Sequence, residues 1–214
     1  EADLIFLNSC VVRQSAENKV VNKLHSLKTI KNSRPQAEIA LTGCLVNGDS
    51  QALEKSYPYV DYFFPAGDFP SWLGKREPAK IVPLQPSVAS FVPIMQGCNN
   101  FCSYCIVPYT RGRERSIPAD RVVRELEELR AKGYKEVTLL GQNVNSYRDG
   151  DDDFAELLGR AADTGMEWIR FLTSHPRDLN ARILEVMTAR ENICNHLHLP
   201  LQSGIVTLNR GEIR

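Results

Sequence analysis

Between Leu4 and Phe64, short apolar runs alternate with longer stretches in which apolar residues recur at helical spacing. LIFLN (4–8), EIALTG (38–43) and DYFF (61–64) have the length and composition of strands, while Gln14 to Lys31 and Ser50 to Lys55 read as amphipathic helices. Short apolar strands separated by helices predict a βαβαβ unit: a parallel sheet with right-handed crossovers. In such sheets functional groups collect just past the carboxyl ends of the strands. Cys10 follows LIFLNS and Cys44 follows IALTG, so the pattern predicts two cysteines from distant sequence at one edge of one sheet.

Gly74 to Ser90 carries Pro78, Pro83 and Pro86 and sustains no period, which reads as a connector because proline removes backbone donors and restricts its neighbour. The expected domains are residues 1–76 and 91–214, joined by a linker at 77–90. Beyond the linker the alternation resumes with FVPIMQ (91–96), a helix at Ala119 to Lys132, EVTLLG (136–141) and a helix at Phe154 to Asp163. WIRFLT (168–173), a helix at Leu179 to Ala189 and a strand at NHLHLP (195–200) follow. Val122, Leu126 and Leu129 recur at i, i+4 and i+7, with Gly133 where helices commonly end. Four strands and three intervening helices make part of a (β/α) barrel or of an open doubly wound sheet, which periodicity does not separate. There is no internal repeat.

Composition narrows the function classes. The 214 residues, 43% hydrophobic and 24% charged, suffice for one large or two small globular domains. No run approaches the length of a membrane span and the N-terminus lacks the parts of a signal peptide, so no membrane partner and a cytoplasmic location are expected. Net charge is zero, so nucleic-acid binding gains no support from bulk electrostatics. The chain begins at Glu1 and runs almost at once into a strand, and it stops after Gly204 to Arg214 without a closing element. The expectation is a domain incomplete at each end.

Six cysteines are present: Cys10, Cys44, Cys98, Cys102, Cys105 and Cys194. Disulfides are one reading, but three cysteines within 98–105 suit a metal better than separate bridges. The segment MQGCNNFCSYCIVPYTRG sets Cys98, Cys102 and Cys105 in a CxxxCxxC array directly after a buried strand. A cubane iron-sulfur cluster normally takes four cysteines, so three leave one iron open to an exchangeable ligand. Structural zinc usually closes its tetrahedron with paired CxxC or HxxxH units, which are missing, and His175, His196 and His198 lie far away in sequence.

CxxxCxxC with Tyr104 just before the last cysteine resembles the radical S-adenosylmethionine (SAM) enzymes. The resemblance implies a 4Fe-4S cluster on Cys98, Cys102 and Cys105 whose open iron chelates the methionine part of SAM and splits it to a 5′-deoxyadenosyl radical. GCNNFCSYCIVPYTRGRERS, LLGQNVNSY, RFLTSHP and HLHLPLQSG together resemble the tRNA methylthiotransferases, closest to the 2-methylthio-N6-dimethylallyladenosine synthase branch. That family carries a second, auxiliary 4Fe-4S cluster on three cysteines, of which Cys10 in LNSC and Cys44 in LTGC match two; the first lies upstream in the family and is not in this chain. The implied fold is α/β: an N-terminal flavodoxin-like parallel-sheet domain followed by a partial (β/α) radical SAM barrel. The implied reaction converts N6-isopentenyladenosine beside the tRNA anticodon to its 2-methylthio derivative. Sulfur comes from or through the auxiliary cluster, and electrons from a flavodoxin or ferredoxin. The stretch IVTLNRGEIR departs from the family, which continues to a basic segment and an RNA-binding β domain.

Several further residues are candidates. Gly141, Gln142 and Asn143 follow a strand of the barrel, where radical enzymes place groups against the methionine amino group; a plain strand-to-helix turn is the alternative. Gln202 is expected at the cavity wall. Arg111, Arg113 and Arg115 form a basic loop suited to phosphate or to mere solvation, with Glu114 diluting its charge. His196 and His198 alternate with leucines and read as core or lumen histidines, and Cys194 as a small buried residue. The rivals are a sister methylthiotransferase acting on threonylcarbamoyladenosine or a ribosomal protein, and a non-enzymatic iron-sulfur or zinc module.

Overall fold

The computed structural model describes residues 3–46, 50–65, 68, 70–73 and 88–200. Up to Phe64 the elements are β1 (Leu4–Ser9), α1 (Gln14–Ser33), β2 (Glu38–Gly43), α2 (Ser50–Ser56) and β3 (Tyr62–Phe64). Beyond Val88 come β4 (Ala89–Pro93), β5 (Met95–Gln96), α3 (Val107–Thr110), β6 (Arg115–Ser116) and α4 (Ala119–Ala131). After them run β7 (Glu136–Leu140), β8 (Arg148–Asp149), β9 (Asp152–Asp153), α5 (Phe154–Asp163), β10 (Trp168–Phe171) and α6 (Ala181–Ala189). The chain divides into two compact units, Glu1–Ala79 with Ile106–Gly112, and Lys80–Cys105 with Arg113–Arg214.

In the first unit β1, β2 and β3 form a parallel sheet in that order, with Leu4 opposite Glu38 and Ser9 opposite Gly43. The parallel α/β expectation holds, and among the described strands the order is sequential, without a reversal. The sheet is parallel because a helix returns the chain after each strand, and α1 turns Val20, Leu24 and Leu27 onto Ile39 and Leu41. Asp61 ties the end of α1 to β2: its carboxylate accepts the Ile39 N–H at 2.8 Å and pairs with Lys31 Nζ at 2.8 Å. Gly43 ends β2 at φ +95°, and a Cβ there would meet Ser9 N at 2.7 Å and Ser9 O closer still. Only glycine fits between these two strands.

The second unit is built on a parallel sheet in the order β10-β7-β4, extended by a parallel bridge between Ile169 and Ile193. Its apolar layer holds Val92, Val137, Leu139, Ile169 and Phe171 from the strands and Val122, Leu126, Leu157, Leu158 and Ile183 from the helices. Phe154 packs edge-on against Phe171 with ring centroids 5.1 Å apart. The helices are capped by side chains: Asp153 accepts the Glu156 N–H of α5 at 2.9 Å and Asn180 the Ile183 N–H of α6 at 3.1 Å. Pro118 at the N-cap of α4 offers no cap, and the remote Asp149 accepts the Ala119 N–H at 2.8 Å instead.

Three expectations need correction. FVPIMQ is not one strand; the chain bends at Ile94, whose N–H bonds Leu140 O at 2.8 Å and whose carbonyl accepts Ile117 N–H at 2.8 Å. NHLHLP forms no strand, because after the Ile193 bridge the backbone turns away from ladder pairing, with His196 N–H on Cys194 O at 2.7 Å. The expected linker 77–90 overruns β4, which begins at Ala89; Pro78, Pro83 and Pro86 lie outside the described residues.

Replacing Gly43 with alanine is expected to cost about 3 kcal/mol or more, from the left-handed backbone and the collision with β1. Gly112→Ala, also at positive φ but with nothing within 4 Å, is expected to cost only about 1–2 kcal/mol. Urea unfolding of the two variants checks this, and equal losses contradict it.

Candidate functional site

The loop carrying Cys98, Cys102 and Cys105 starts where the parallel sheet ends. Antiparallel pairing of β5 with β6 sets Gln96 opposite Arg115 and pinches its base. Glu114 staples it further, accepting from Asn99 N at 3.2 Å, Asn99 Nδ2 at 3.3 Å and Ser146 Oγ at 2.8 Å. Glu114 is thus a structural acceptor rather than a charge that merely dilutes its arginine neighbours. Gly97 sits at φ +82°, buried, and gives its N–H to Gln142 Oε1 at 2.6 Å. Phe101 holds φ +49°, a left-handed conformation that costs a non-glycine residue about 1–2 kcal/mol. Strain of this kind collects at functional loops. The Arg113 guanidinium lies 4.4 Å from the Phe101 ring centroid, and the Cys105 N–H closes a turn onto Cys102 O at 2.9 Å.

All six cysteines are free. Cys98 is buried, and burial pushes its thiol up; the Asn100 N–H on the sulfur opposes this, while Glu114 and the thiols of Cys102 and Cys105 add to it. Tyr104 is pushed up to about 12, first by shielding of its hydroxyl and then by Cys102, although the residue as a whole is 63% exposed. Among the described residues no three His, Cys, Asp or Glu side chains converge tightly enough for a single metal ion. Three soft sulfur donors on a strained loop, one already accepting a backbone N–H, fit an iron-sulfur cluster.

Beside this loop runs the segment after β7. Gly141 has no room for a side chain, since a Cβ would meet Met95 Cγ at 2.5 Å, and its carbonyl accepts Thr173 Oγ1 at 2.9 Å. Gln142 turns toward Gly97, so its oxygen positions the cysteine loop. Asn143, 1% exposed, donates to Asp178 Oδ2 at 2.6 Å and leaves its own Oδ1 buried without a partner. Asn145 Nδ2 and Ser174 Oγ are likewise buried and unpartnered. Buried orphans of this kind cost about 1–3 kcal/mol each unless a ligand or water satisfies them. Their gathering after β7 and β10 marks a polar site at the carboxyl edge of the sheet. Gln202 lies outside the described residues.

Sequence reasoning missed a set of residues here. Asp178 Oδ2 accepts from Asn143 and, at 3.2 Å, from Asn100 Nδ2 of the cysteine loop. His175 Nε2 lies 3.7 Å from Cys102 Sγ, and burial holds its imidazole below the usual histidine range. RFLTSHP was the only signal for this region, and nothing in it says that His175 reaches a cysteine 73 residues upstream.

In the first unit Cys10 and Cys44 directly follow Ser9 and Gly43, which are register partners at the carboxyl ends of β1 and β2. Cys44 N–H bonds Ser9 O at 3.1 Å, and Ser9 Oγ joins Thr42 O at 2.6 Å and Leu45 N at 3.0 Å. Adjacent parallel strands therefore bring the two cysteines to one edge, Cys44 buried and Cys10 half-buried.

Of the remaining candidates, Cys194 is buried, with its thiol pushed up chiefly by burial, as a small core residue should be. His196 and His198 are exposed, not core, and His198 Nδ1 accepts the Thr173 N–H at 3.2 Å. The histidines and leucines still alternate, with Leu197 and Leu199 more covered than His196 and His198, but no strand forms and the histidines face outward. The three arginines do not act as one patch: Arg113 stacks on Phe101, Arg115 is part of β6, and Arg111 is half-buried with Nε unpartnered.

Gln142→Leu strands the buried Gly97 N–H and is expected to cost about 1–3 kcal/mol in thermal unfolding, while Gln142→Glu, which keeps the oxygen, loses less. Equal stability of the leucine variant and the parent contradicts the positioning role.

Comparison with known proteins gives two family models. The family model of the radical SAM superfamily matches residues 92–205, and that of uncharacterized protein family UPF0004 matches residues 1–65. Curated relatives named tRNA-2-methylthio-N(6)-dimethylallyladenosine synthase are 49% identical over 212 residues in Dehalococcoides mccartyi (97% of this chain, 50% of the relative) and 47% identical over 230 residues in Syntrophomonas wolfei (95% and 51%). The one from Carboxydothermus hydrogenoformans is 42% identical over 243 residues, covering all of this chain and 55% of the relative. This chain spans about half the length of these relatives. Among solved structures, the radical S-adenosylmethionine methyltransferase TsrM from Kitasatospora setae shares the fold, with a TM-score of 0.55 at 12% identity over 87% of this chain and 47% of that one. The chain belongs to the radical SAM superfamily, and within it its resemblance is to the tRNA methylthiotransferases.

Proposed function

We propose that the chain is the catalytic portion of a tRNA methylthiotransferase that places a 2-methylthio group on N6-isopentenyladenosine beside the anticodon. What supports this most is the loop from Gly97 to Cys105: three free thiols in a CxxxCxxC array, on a strained backbone, anchored to the carboxyl edge of a parallel sheet. In this reading Cys98, Cys102 and Cys105 hold a 4Fe-4S cluster, and Tyr104 shields it beside Cys102. When bound, the cluster and SAM supply the one-electron chemistry. The protein orients and secludes the reactants: Asn143, Asn145 and Ser174 carry buried polar atoms that a ligand's polar groups satisfy.

The auxiliary cluster sits, in the same reading, at the edge where Cys10 and Cys44 follow paired strand ends, with its third ligand supplied from outside this sequence. It provides or relays the sulfur. The tRNA anticodon stem-loop is the substrate and a flavodoxin or ferredoxin the reductant, and the curated relatives' name supports the substrate class.

Anaerobic reconstitution with iron, sulfide, reductant and SAM tests the reading. The protein is expected to form 5′-deoxyadenosine, and alanine at Cys98, Cys102 or Cys105 to bring it to background; an unreactive reconstituted parent overturns the proposal. Alanine at Cys10 or Cys44 is expected to spare 5′-deoxyadenosine formation while abolishing the methylthio nucleoside, read by mass spectrometry of digested tRNA. Appearance of the threonylcarbamoyladenosine derivative instead moves the assignment to the sister enzymes.

A further inference from the structure

His175 has both ring nitrogens engaged. The Arg177 backbone N–H lies 3.2 Å from its Nδ1 and Asp178 Oδ2 lies 4.0 Å from the same nitrogen; with Nδ1 accepting from Arg177, the ring N–H falls on Nε2. Nε2 faces Cys102 Sγ at 3.7 Å, within range for a hydrogen bond to sulfur. The ring is also held in place. His175 N–H bonds Asn145 Oδ1 at 3.1 Å, and the His175 carbonyl accepts Asp178 N–H at 3.0 Å and Leu179 N–H at 3.2 Å. Asp178 then reaches back to the cysteine loop through Asn100 at 3.2 Å. One short segment after β10 thus contacts the loop twice, once at the Cys102 sulfur and once at the Asn100 side-chain amide.

We propose that His175 is a positioning residue for the cluster, its Nε2–H donating to the ligating sulfur of Cys102 and thereby raising the reduction potential of the bound cluster. The inference rests on the reading of Cys102 as a cluster ligand. A donor on a ligating sulfur draws charge from it and favours the reduced, more negative cluster, one of the protein's levers on such potentials. The same bond fixes the Cys102 side chain on a loop whose backbone at Phe101 is already strained. Asp178 links the histidine's segment to the loop through Asn100 and to the segment after β7 through Asn143.

The test compares His175→Leu with His175→Gln, whose amide N–H stands in for Nε2–H. A background of Cys10→Ala and Cys44→Ala leaves one cluster to report. In a redox titration of the reconstituted protein followed by electron paramagnetic resonance, the leucine variant is expected at a more negative potential than the parent and the glutamine variant close to the parent. A leucine variant at the parent's potential overturns the proposal. A second measurement needs no variant: with 15N-histidine in the otherwise natural sequence, pulsed resonance of the reduced cluster is expected to show a 15N coupling. Its absence also overturns the proposal, even if the leucine variant fails to assemble. Cys102→Ala separates the two readings: full retention of iron and sulfide shows that Cys102 is no ligand, whereas loss of cluster with an unshifted His175→Leu potential refutes only the role of His175.

Discussion

The parallel ladder between β4 and β7 runs from Ala89 opposite Glu136 to Pro93 opposite Leu140, and the placement of the cysteine loop depends on how that ladder stops. At its end the pairing passes from strand to loop: Ile94 N–H takes Leu140 O, and then Gly97 N–H takes the side-chain oxygen of Gln142, two residues beyond β7. A backbone ladder cannot continue through a glycine in the left-handed region, so a side chain supplies the last acceptor. The loop is thereby registered to the sheet edge before any metal is considered.

Around that anchor the polar groups are arranged by burial. Asp178 lies between Asn143 on one segment and Asn100 on another, and a shared carboxylate of this kind is stable because it receives two donors in a partly dry setting. Glu114 likewise gathers donors from Asn99, in exposed bonds, and from Ser146. Asp178 and Glu114 therefore brace the loop through separate sets of partners. The unpartnered atoms of Asn143, Asn145 and Ser174 lie in the segments these braces hold, which is where a ligand gains most from preorganised polar groups.

The first unit solves the same problem with fewer residues. Gly43 allows β2 to pass within reach of the Ser9 backbone, and Ser9 Oγ fills the gap with two hydrogen bonds, so Cys10 and Cys44 leave neighbouring strand ends in fixed relation. Both units thus present cysteines at the carboxyl edge of a parallel sheet, where strand ends leave backbone and side-chain groups free of ladder pairing.

By itself the sequence determined the alternation of strands and helices, the CxxxCxxC loop after a buried strand, and the edge position of Cys10 and Cys44. Each of these rests on local spacing: the 3.6-residue period of α4, the apolar runs of β1 and β2, the short interval between Cys98 and Cys105. It failed where the outcome depends on partners distant in the chain. The bend at Ile94 is set by carbonyl and N–H partners at Leu140 and Ile117, and the missing strand at NHLHLP by the turn after Ile193. Only the tertiary structure decided that Gln142 faces Gly97 and that Glu114 braces the loop. It alone set His175 beside Cys102, because hydrogen-bond direction at such distances follows from how the packed sheet orients its loops, and no periodicity in the chain encodes it.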